Sequence, residues 1–307
     1  MRFFVYFVGL LAVACSWGEA AGSIRIATYN VQNYLITDRW FDGAWRPEYP
    51  KPESEKVRVR EAILEVRPDV LLLQEMGPPP FLEELRADLA EAGLDYGHAV
   101  HFRAVDEERH LAVLSMLPFA EVVKHRDLDF KYLDRRALVK RGFLELRLED
   151  PAGADFQLFT LHLKSRWTDD AADPESALRR TREAEACRNR LVERTFESGR
   201  DRFLVAGDFN DHPVSAPLRR FYERGELEIA RRLPAVDGKG ESWTYFYRKQ
   251  LSYTTVDAFV VSDALRPAVR EGRASVHGGA DVLEGSDHRM VFVDLAWPLA
   301  AVSGSGD

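Results

Sequence analysis

Short runs of branched and aromatic residues recur along the whole chain, and most of them end on polar side chains. IRIATYN (24–30), DVLLLQE (69–75), LAVLSM (111–116), GFLELRL (142–148), FQLFTLHL (156–163), RFLVAGD (202–208), TTVDAFVVS (254–262) and MVFVDL (290–295) all read as strands, being rich in the Val, Leu, Phe and Ile that suit a pleated, half-buried surface. Helical periodicity falls between some of them. SEKVRVREAILEV places Val59, Ala62, Ile63 and Val66 on one face, and PFLEELRADLAEAG does the same with Leu82, Leu85 and Leu89 before Gly93, a residue that ends helices. A longer helix is expected from Pro174 to about Ser198. Strands and helices do not alternate strictly, and GFLELRLEDPAGADFQLFTLHL predicts an antiparallel pair around a Pro/Gly turn. The fold class that fits is α/β, a two-sheet sandwich flanked by helices in four layers.

The 307 residues are 46% hydrophobic and 30% charged, enough for one large core. The net charge of -8 supplies no general basic field for nucleic acid. It does not exclude a nucleic-acid substrate, for which a local basic groove suffices. Met1-Arg2 followed by the uncharged run Phe3–Ala14 reads as a signal peptide over 1–22, with the working domain at 23–300, a disordered tail at 301–307 and a secreted or periplasmic protein. Lipidation at Cys15, in LAVAC, is the alternative to cleavage. Beyond the signal only Cys187 remains, so no intrachain disulfide forms. Cys187 falls on a helical stripe with Ala177, Ala184 and Leu191 and reads as buried, not nucleophilic.

The polar residues at the strand ends are the candidates for chemistry. ATYNVQN offers Asn30, LLLQEMG Glu75, TLHLKSR His162 and Lys164, FLVAGDFNDHP Asp208 and Asn210, TTVDAFVVS Asp257, and EGSDHRM Asp287 and His288. Asp and Asn after a strand are ordinary turn residues, and a lone His beside an apolar strand is more often structural. Six segments each offering an amide, carboxylate or imidazole are hard to explain by turns.

These segments, in this order, resemble the signature of the endonuclease/exonuclease/phosphatase superfamily, which includes pancreatic-type deoxyribonuclease, neutral sphingomyelinases and inositol polyphosphate phosphatases. The likeness runs from about Ile24 to Leu295. It implies a sandwich with its site at one edge and divalent-metal-dependent cleavage of phosphate esters. On that likeness, Asn30 and Glu75 form the metal site, with Asp287 beside them. His162 contacts the scissile phosphate, and Asp208 and Asn210 orient nucleophile and phosphate. Asp257 and His288 are the Asp–His pair, with Asp208 the rival base. Arg141, ahead of Arg135 and Arg136, and Lys164 are the phosphate cations. Thr255 stands where such sequences often carry Arg. Oxygen ligands suit Mg²⁺ or Mn²⁺, and the scattered His offer no zinc site.

Two inserts are expected to shape the substrate groove. LITDRWFDGAWRPEYPKP carries Trp40, Phe41, Trp45 and Tyr49 with Arg39 and Arg46, and ESWTYFYRKQLSYTT carries Trp243, Tyr245, Phe246, Tyr247, Arg248 and Lys249. Such mixtures either stack bases and hold phosphates or pin long loops. Arg166, Arg179, Arg180 and Arg182 lie in a charged helical stretch whose residues should mostly face solvent. The reading is a secreted nuclease acting on nucleic acid or another phosphodiester, with no stable protein partner expected and working as a monomer. A sphingomyelinase-like lipid phosphodiesterase is the alternative, and an inactive binding protein a more distant one.

Overall fold

The computed structural model describes residues 22–168, 170–279 and 281–299; positions 1–21 of the expected signal peptide, Cys15 among them, and the 301–307 tail lie outside these. In chain order the elements begin with β1 (Gly22–Tyr34), a hairpin of β2 (Ile36–Phe41) and β3 (Ala44–Pro50), α1 (Glu53–Val66), β4 (Val70–Met76) and α2 (Pro79–Glu91). Next come β5 (His98–Phe102), β6 (His110–Ser115), β7 (Glu121–His125), a hairpin of β8 (Asp129–Tyr132) and β9 (Arg135–Leu138), β10 (Phe143–Glu149) and β11 (Asp155–His162). The second half holds α3 (Ala177–Arg194), β12 (Phe203–Asp208), α4 (Ala216–Tyr222) and four two-residue strands, β13 (Glu223–Arg224), β14 (Leu227–Glu228), β15 (Arg231–Arg232) and β16 (Ala235–Val236). It closes with a hairpin of β17 (Tyr245–Tyr247) and β18 (Ser252–Thr254), then β19 (Asp257–Val261), β20 (Ala274–Val276) and β21 (Val291–Trp297).

Seven strands form one sheet in the order β16-β20-β21-β1-β4-β6-β5, and six form the other in the order β15-β19-β12-β11-β10-β7. All eight expected strands are present, and β10 and β11 pair antiparallel as the Pro/Gly turn requires. The layers follow from the two-residue alternation of side chains along a strand. Ile24 and Ile26 on β1, Val70 and Leu72 on β4, Leu158 on β11, Leu204 and Ala206 on β12 and Phe259 on β19 fill the space between the sheets. Their neighbours Ala27, Leu71 and Leu73 face the other way, onto Val59 and Ile63 of α1 and Leu82, Leu85 and Leu89 of α2. Phe159, Phe203 and Val205 pack against Ala184, Cys187 and Leu191 of α3. The four expected layers are the observed ones.

The helix expected over 174–198 is shorter, because 3-10 turns at Pro174–Ser176 and Phe196–Ser198 flank α3. Ala177, at its first position, is exposed and leaves the stripe that Ala184, Cys187 and Leu191 keep. Three charges share that buried face: Arg180, Glu183 and Arg188. Arg180 donates from Nε to Asp211 at 2.8 Å and from Nη1 to the Lys164 carbonyl at 3.1 Å. Glu183 accepts the backbone N–H of Lys164 at 2.9 Å and of Lys140 at 3.2 Å. These side chains are buried because they satisfy backbone groups of loops that would otherwise be unpaired. Burial also pushes the Cys187 thiol well above its usual pKa, the opposite of what a nucleophile needs.

Candidate active site

The inward face of the sandwich changes from apolar to polar at one end of both sheets. Thr28 and Asn30 follow Ile26 on β1, Gln74 follows Leu72, Thr160 and His162 follow Leu158, and Asp208 follows Ala206, each by steps of two. Gln74 bridges the sheets, donating to Thr28 Oγ1 at 3.1 Å and Thr160 Oγ1 at 3.4 Å. One layer further, His162, Asp208 and Asp257 are direct neighbours in register across β11, β12 and β19. Gly207 makes that row possible. Its φ of +148° and its approach to β11 exclude a side chain, since a Cβ would collide with the Leu161 carbonyl.

Asp208, with no exposed surface, is the hub. Its Oδ2 accepts from Asn30 Nδ2 across the sheets at 3.1 Å and from Asn210 Nδ2 at 3.1 Å, while Oδ1 accepts the Asn210 N–H at 2.8 Å. His162 Nε2 lies 3.3 Å from Asp208 Oδ2 and 4.0 Å from Glu75 Oε1. His288 Nδ1 is 2.9 Å from Asp257 Oδ2, and its Nε2 is 3.9 Å from Asp208 Oδ2 and 4.0 Å from Asp287 Oδ1. Those last two distances leave room for one reacting oxygen between an imidazole and two carboxylates.

Glu75 reaches this space only through an irregularity. Strand parity would send it toward the helices with Leu71 and Leu73, but β4 breaks register after Leu73 and Glu75 takes a φ of +62°, as at a bulge that re-aims a side chain. Its carboxylate accepts the Asn33 N–H at 2.9 Å. Gln32 and Asn33 are also left-handed, at φ +45° and +52°. This costly turn is held by buried Lys51, which donates to the Gln32 carbonyl at 3.0 Å, and by Arg39, which donates to the carbonyls of Asn33 and Leu35. Gln32 in turn accepts the Asp287 N–H at 3.0 Å.

Charges in the cleft shape one another. Burial, then the cations of Arg141, His288, Arg109 and Lys140, hold His162 well below its usual pKa, so it is neutral at pH 7. Burial lowers His288 too, but the carboxylates of Asp257, Asp208 and Asp287 outweigh it and raise it to about 10. Burial raises Asp208 to about 7 and Asp287 to about 6, against the pull of His288 and with help from Asp257 and Glu75 respectively. The chain by itself thus keeps a proton on His288 and crowds carboxylates around it. The Asp257 Oδ1 and His162 Nδ1 atoms are buried without a partner.

That oxygen-rich, electron-rich set fits a hard divalent cation. Asp208, Asp257 and His288 have donor atoms within 4.8 Å of one another, but Asp257 Oδ2 and His288 Nδ1 are engaged with each other. Glu75 and Asp287 are the carboxylates that remain to hold a metal. Asn30, expected as a metal ligand, turns its Nδ2 to Asp208 and Glu75, and its Oδ1 accepts the Gln32 N–H at 3.0 Å. It clamps the carboxylates.

Of the expected phosphate cations, Arg141 borders the cleft, with Nη1 on the Leu163 carbonyl at 3.2 Å and Nε on Asp106 at 3.0 Å. Lys164 does not join the cluster. Its ammonium binds the carbonyl and hydroxyl of Ser165 and the Trp167 carbonyl, tying down the loop after β11. Arg109 is an addition. It donates to Asn33 Oδ1 at 2.8 Å and stands 4.0 Å from Glu75. Buried Asp106 orders this side, accepting from Arg141, from Lys140 and from the Arg109 N–H. Tyr245, on the second insert expected to shape the groove, places its ring 4.7 Å from that of His288. His212 is exposed and outside the cluster.

Next to His288, Arg289 anchors the β17–β18 hairpin. Its guanidinium lies 4.2 Å over Trp243 and donates to Asp237 at 2.6 Å. Burial opposes ionisation of Asp237, but the Arg289 hydrogen bond and the N–H groups of Glu241 and Lys239 lower it to about 2. A carboxylate depressed by folding stabilises above its unfolded pKa, about 3.9, and the contribution is lost as pH falls from there to about 2. Thermal unfolding should therefore lose stability across this window, and Asp237→Asn should lower Tm at pH 7 and flatten the acid limb. Parallel pH profiles for the two proteins would refute the assignment.

A mixed two-sheet sandwich with His, Asp, Asn and Glu gathered at one end of both sheets is the architecture of a phosphoesterase. The chain belongs to the Endonuclease/Exonuclease/phosphatase family, whose model matches residues 27–288; its members are hydrolases of phosphate ester bonds. Comparison with curated proteins gives no match. Among solved structures, a family protein from Bacteroides thetaiotaomicron is similar with a TM-score of 0.62 and 16% identity, over 91% of this chain and 99% of that one. The human Nocturnin catalytic domain with bound sulfate gives 0.60 and 17%, over 89% and 93%. A beta toxin from Staphylococcus aureus gives 0.60 and 11%, over 88% and 99%. At such identities the likeness concerns the fold.

Proposed function

We propose that the protein is a divalent-metal-dependent phosphodiesterase whose substrate is nucleic acid, exported to the periplasm or medium and active as a monomer. The observation that carries the chemistry is the meeting of Glu75, His162, Asp208, Asp257, Asp287 and His288 at one mouth of the sandwich. Export is supported only by the sequence of residues 1–22.

A Mg²⁺ or Mn²⁺ ion held by Glu75 and Asp287 would neutralise charge on a phosphoryl oxygen. The protein's own groups do the rest. His162 and Arg141 face the phosphate and donate hydrogen bonds to it as charge builds. Asn210, fixed by Asp208 and the Leu163 carbonyl, positions the same group. His288, fixed by Asp257, and Asp208 bracket the attacking water and manage its proton. With carboxylates raising His288, Asp208 is the acceptor in the free site; neutralising the charge of Asp287 would lower His288 and favour its acting as the base, whereas an anionic phosphate alone would hold its proton in place.

Nucleic acid is preferred because of the rim. Trp40 and Trp45 face each other at the β2–β3 tip and remain 68% and 61% exposed, and Trp167, just beyond His162, is 72% exposed. Exposed aromatic faces on the hairpin that follows the Gln32–Asn33 turn and on the loop after His162 suit base stacking. Phe41 and Tyr49 stack on each other with Arg46 over Tyr49, so these pin the hairpin. Trp45→Ala should raise KM for a polymeric substrate roughly fivefold or more, given about 1–3 kcal/mol per stacked base, and leave a nitrophenyl phosphodiester unchanged. Equal losses on both would make Trp45 a structural pin. The substrate class itself is tested by incubating purified protein and Mg²⁺ with plasmid DNA, RNA, sphingomyelin and the nitrophenyl diester. Turnover of sphingomyelin without turnover of either nucleic acid would refute the nuclease reading.

A further inference from the structure

On the outer surface of α3 and α4, Arg188, Arg219, Arg220 and Arg224 line a groove of about 510 Å³ that holds one carboxylate, Glu223. Arg188 lies on α3 eight positions beyond Arg180, which reaches the Asp208–Asp211 loop; that is about 12 Å along the axis at 1.5 Å per residue. The groove is therefore separate from the cleft. Elsewhere the arginines are heavily paired. Arg58 meets Glu61, Asp281 and Glu284, and Arg194 meets Glu121 and Glu145. By contrast, the guanidinium groups of Arg219, Arg220 and Arg224 have no hydrogen bond or ion pair with any described residue, although the chain carries 50 acidic residues against 42 basic ones. Arg220 Nε is moreover buried without a partner. Arg188 forms the floor, its side chain 6% exposed, with Nη1 on the Glu223 carbonyl at 3.1 Å and Glu185 3.9 Å away.

Like charges gathered and partly desolvated in this way are costly unless an anion joins them. Guanidinium groups match phosphate oxygens in pairs, and a cavity of this size lies in the range of ligand sites. The recessed floor chooses the form of the ligand. A bilayer surface cannot enter a groove to meet Arg188, whereas a single phosphodiester chain can.

We infer that this groove is a second, non-catalytic binding site that holds the phosphate backbone of a single nucleic-acid strand. The identity of the strand rests on the nuclease reading above; the anion site does not. The test is fluorescence anisotropy of a labelled oligothymidylate, in a His288→Ala background so that it stays intact. Adding Arg219→Gln, Arg220→Gln and Arg224→Gln should weaken binding on the order of tenfold at low salt and reduce the salt slope by about 2, from roughly 0.7 per phosphate contact. The same three changes with His288 intact should leave nitrophenyl diester turnover unchanged. If the triple variant fails to fold, Arg224→Gln alone, at an exposed position, should still weaken binding severalfold. Unchanged oligonucleotide affinity overturns the inference, as does a loss confined to phosphatidylglycerol vesicles. Groove-dependent oligonucleotide binding without any turnover of nucleic acid would defeat the nuclease reading and leave the groove assignment standing.

Discussion

Replacing His288 by alanine is expected to lower kcat for phosphodiester hydrolysis by roughly 10²–10⁴-fold, the scale of losing a positioned acid or base. The expectation rests on geometry. Nδ1 is fixed by Asp257 at 2.9 Å, and Nε2 opens onto the space shared with Asp208 and Asp287. Asp257→Asn should also be severe, because the amide can no longer fix the imidazolium. The double variant should be little worse than His288→Ala, since residues acting as one unit are non-additive. Strictly additive losses in steady-state kinetics would dissolve the pair and leave proton handling to Asp208 alone.

Asp208→Asn should cost at least as much, on the order of 10³-fold or more in kcat, by analogy with the removal of one member of a catalytic unit. Four groups converge on this buried carboxylate, those of Asn30, Asn210, His162 and His288, and an amide cannot satisfy them all as acceptor. The folded structure should survive, because Asn nearly matches Asp in volume, so circular dichroism should be unchanged while turnover falls. A variant retaining more than a tenth of wild-type kcat would remove Asp208 from the centre of the mechanism.

The sandwich and the row His162, Asp208 and Asp257 were legible because strand alternation is a strict period. Counting in twos from apolar residues to a polar one along IRIATYN, FQLFTLHL and FLVAGD finds the end where the sheets open. Glu75 is the instructive exception, since parity points it at the helices and only a bulge with a left-handed residue turns it into the cleft. No local pattern announces that bulge. Of the arginines expected to lie mostly in solvent, Arg166 and Arg182 are exposed and Arg179 half-buried, but Arg180 and the neighbouring Glu183 are buried, one turn before and one residue before Ala184. They share the apolar stripe, and that was the available signal. Arg109 and Lys51 enter the site from loops, and Gln32 and Asn33 from a left-handed kink inside β1; the course of these segments depends on tertiary contacts, about which periodicity carries no information. Lys164 illustrates the reverse, a cation placed by motif near the phosphate whose ammonium is consumed by the carbonyls of its own loop.

The central claim is that carboxylates at the mouth of this sandwich hold a divalent metal for phosphodiester hydrolysis. The most direct measurement is nitrophenyl phosphodiester turnover after EDTA treatment and dialysis, titrated with Mg²⁺ or Mn²⁺, for the wild type and Glu75→Gln. Activity should vanish with EDTA and return with the metal, and Glu75→Gln should need a far higher metal concentration while its circular dichroism stays unchanged. Full activity in excess EDTA, or identical metal titrations for the two proteins, would contradict the account.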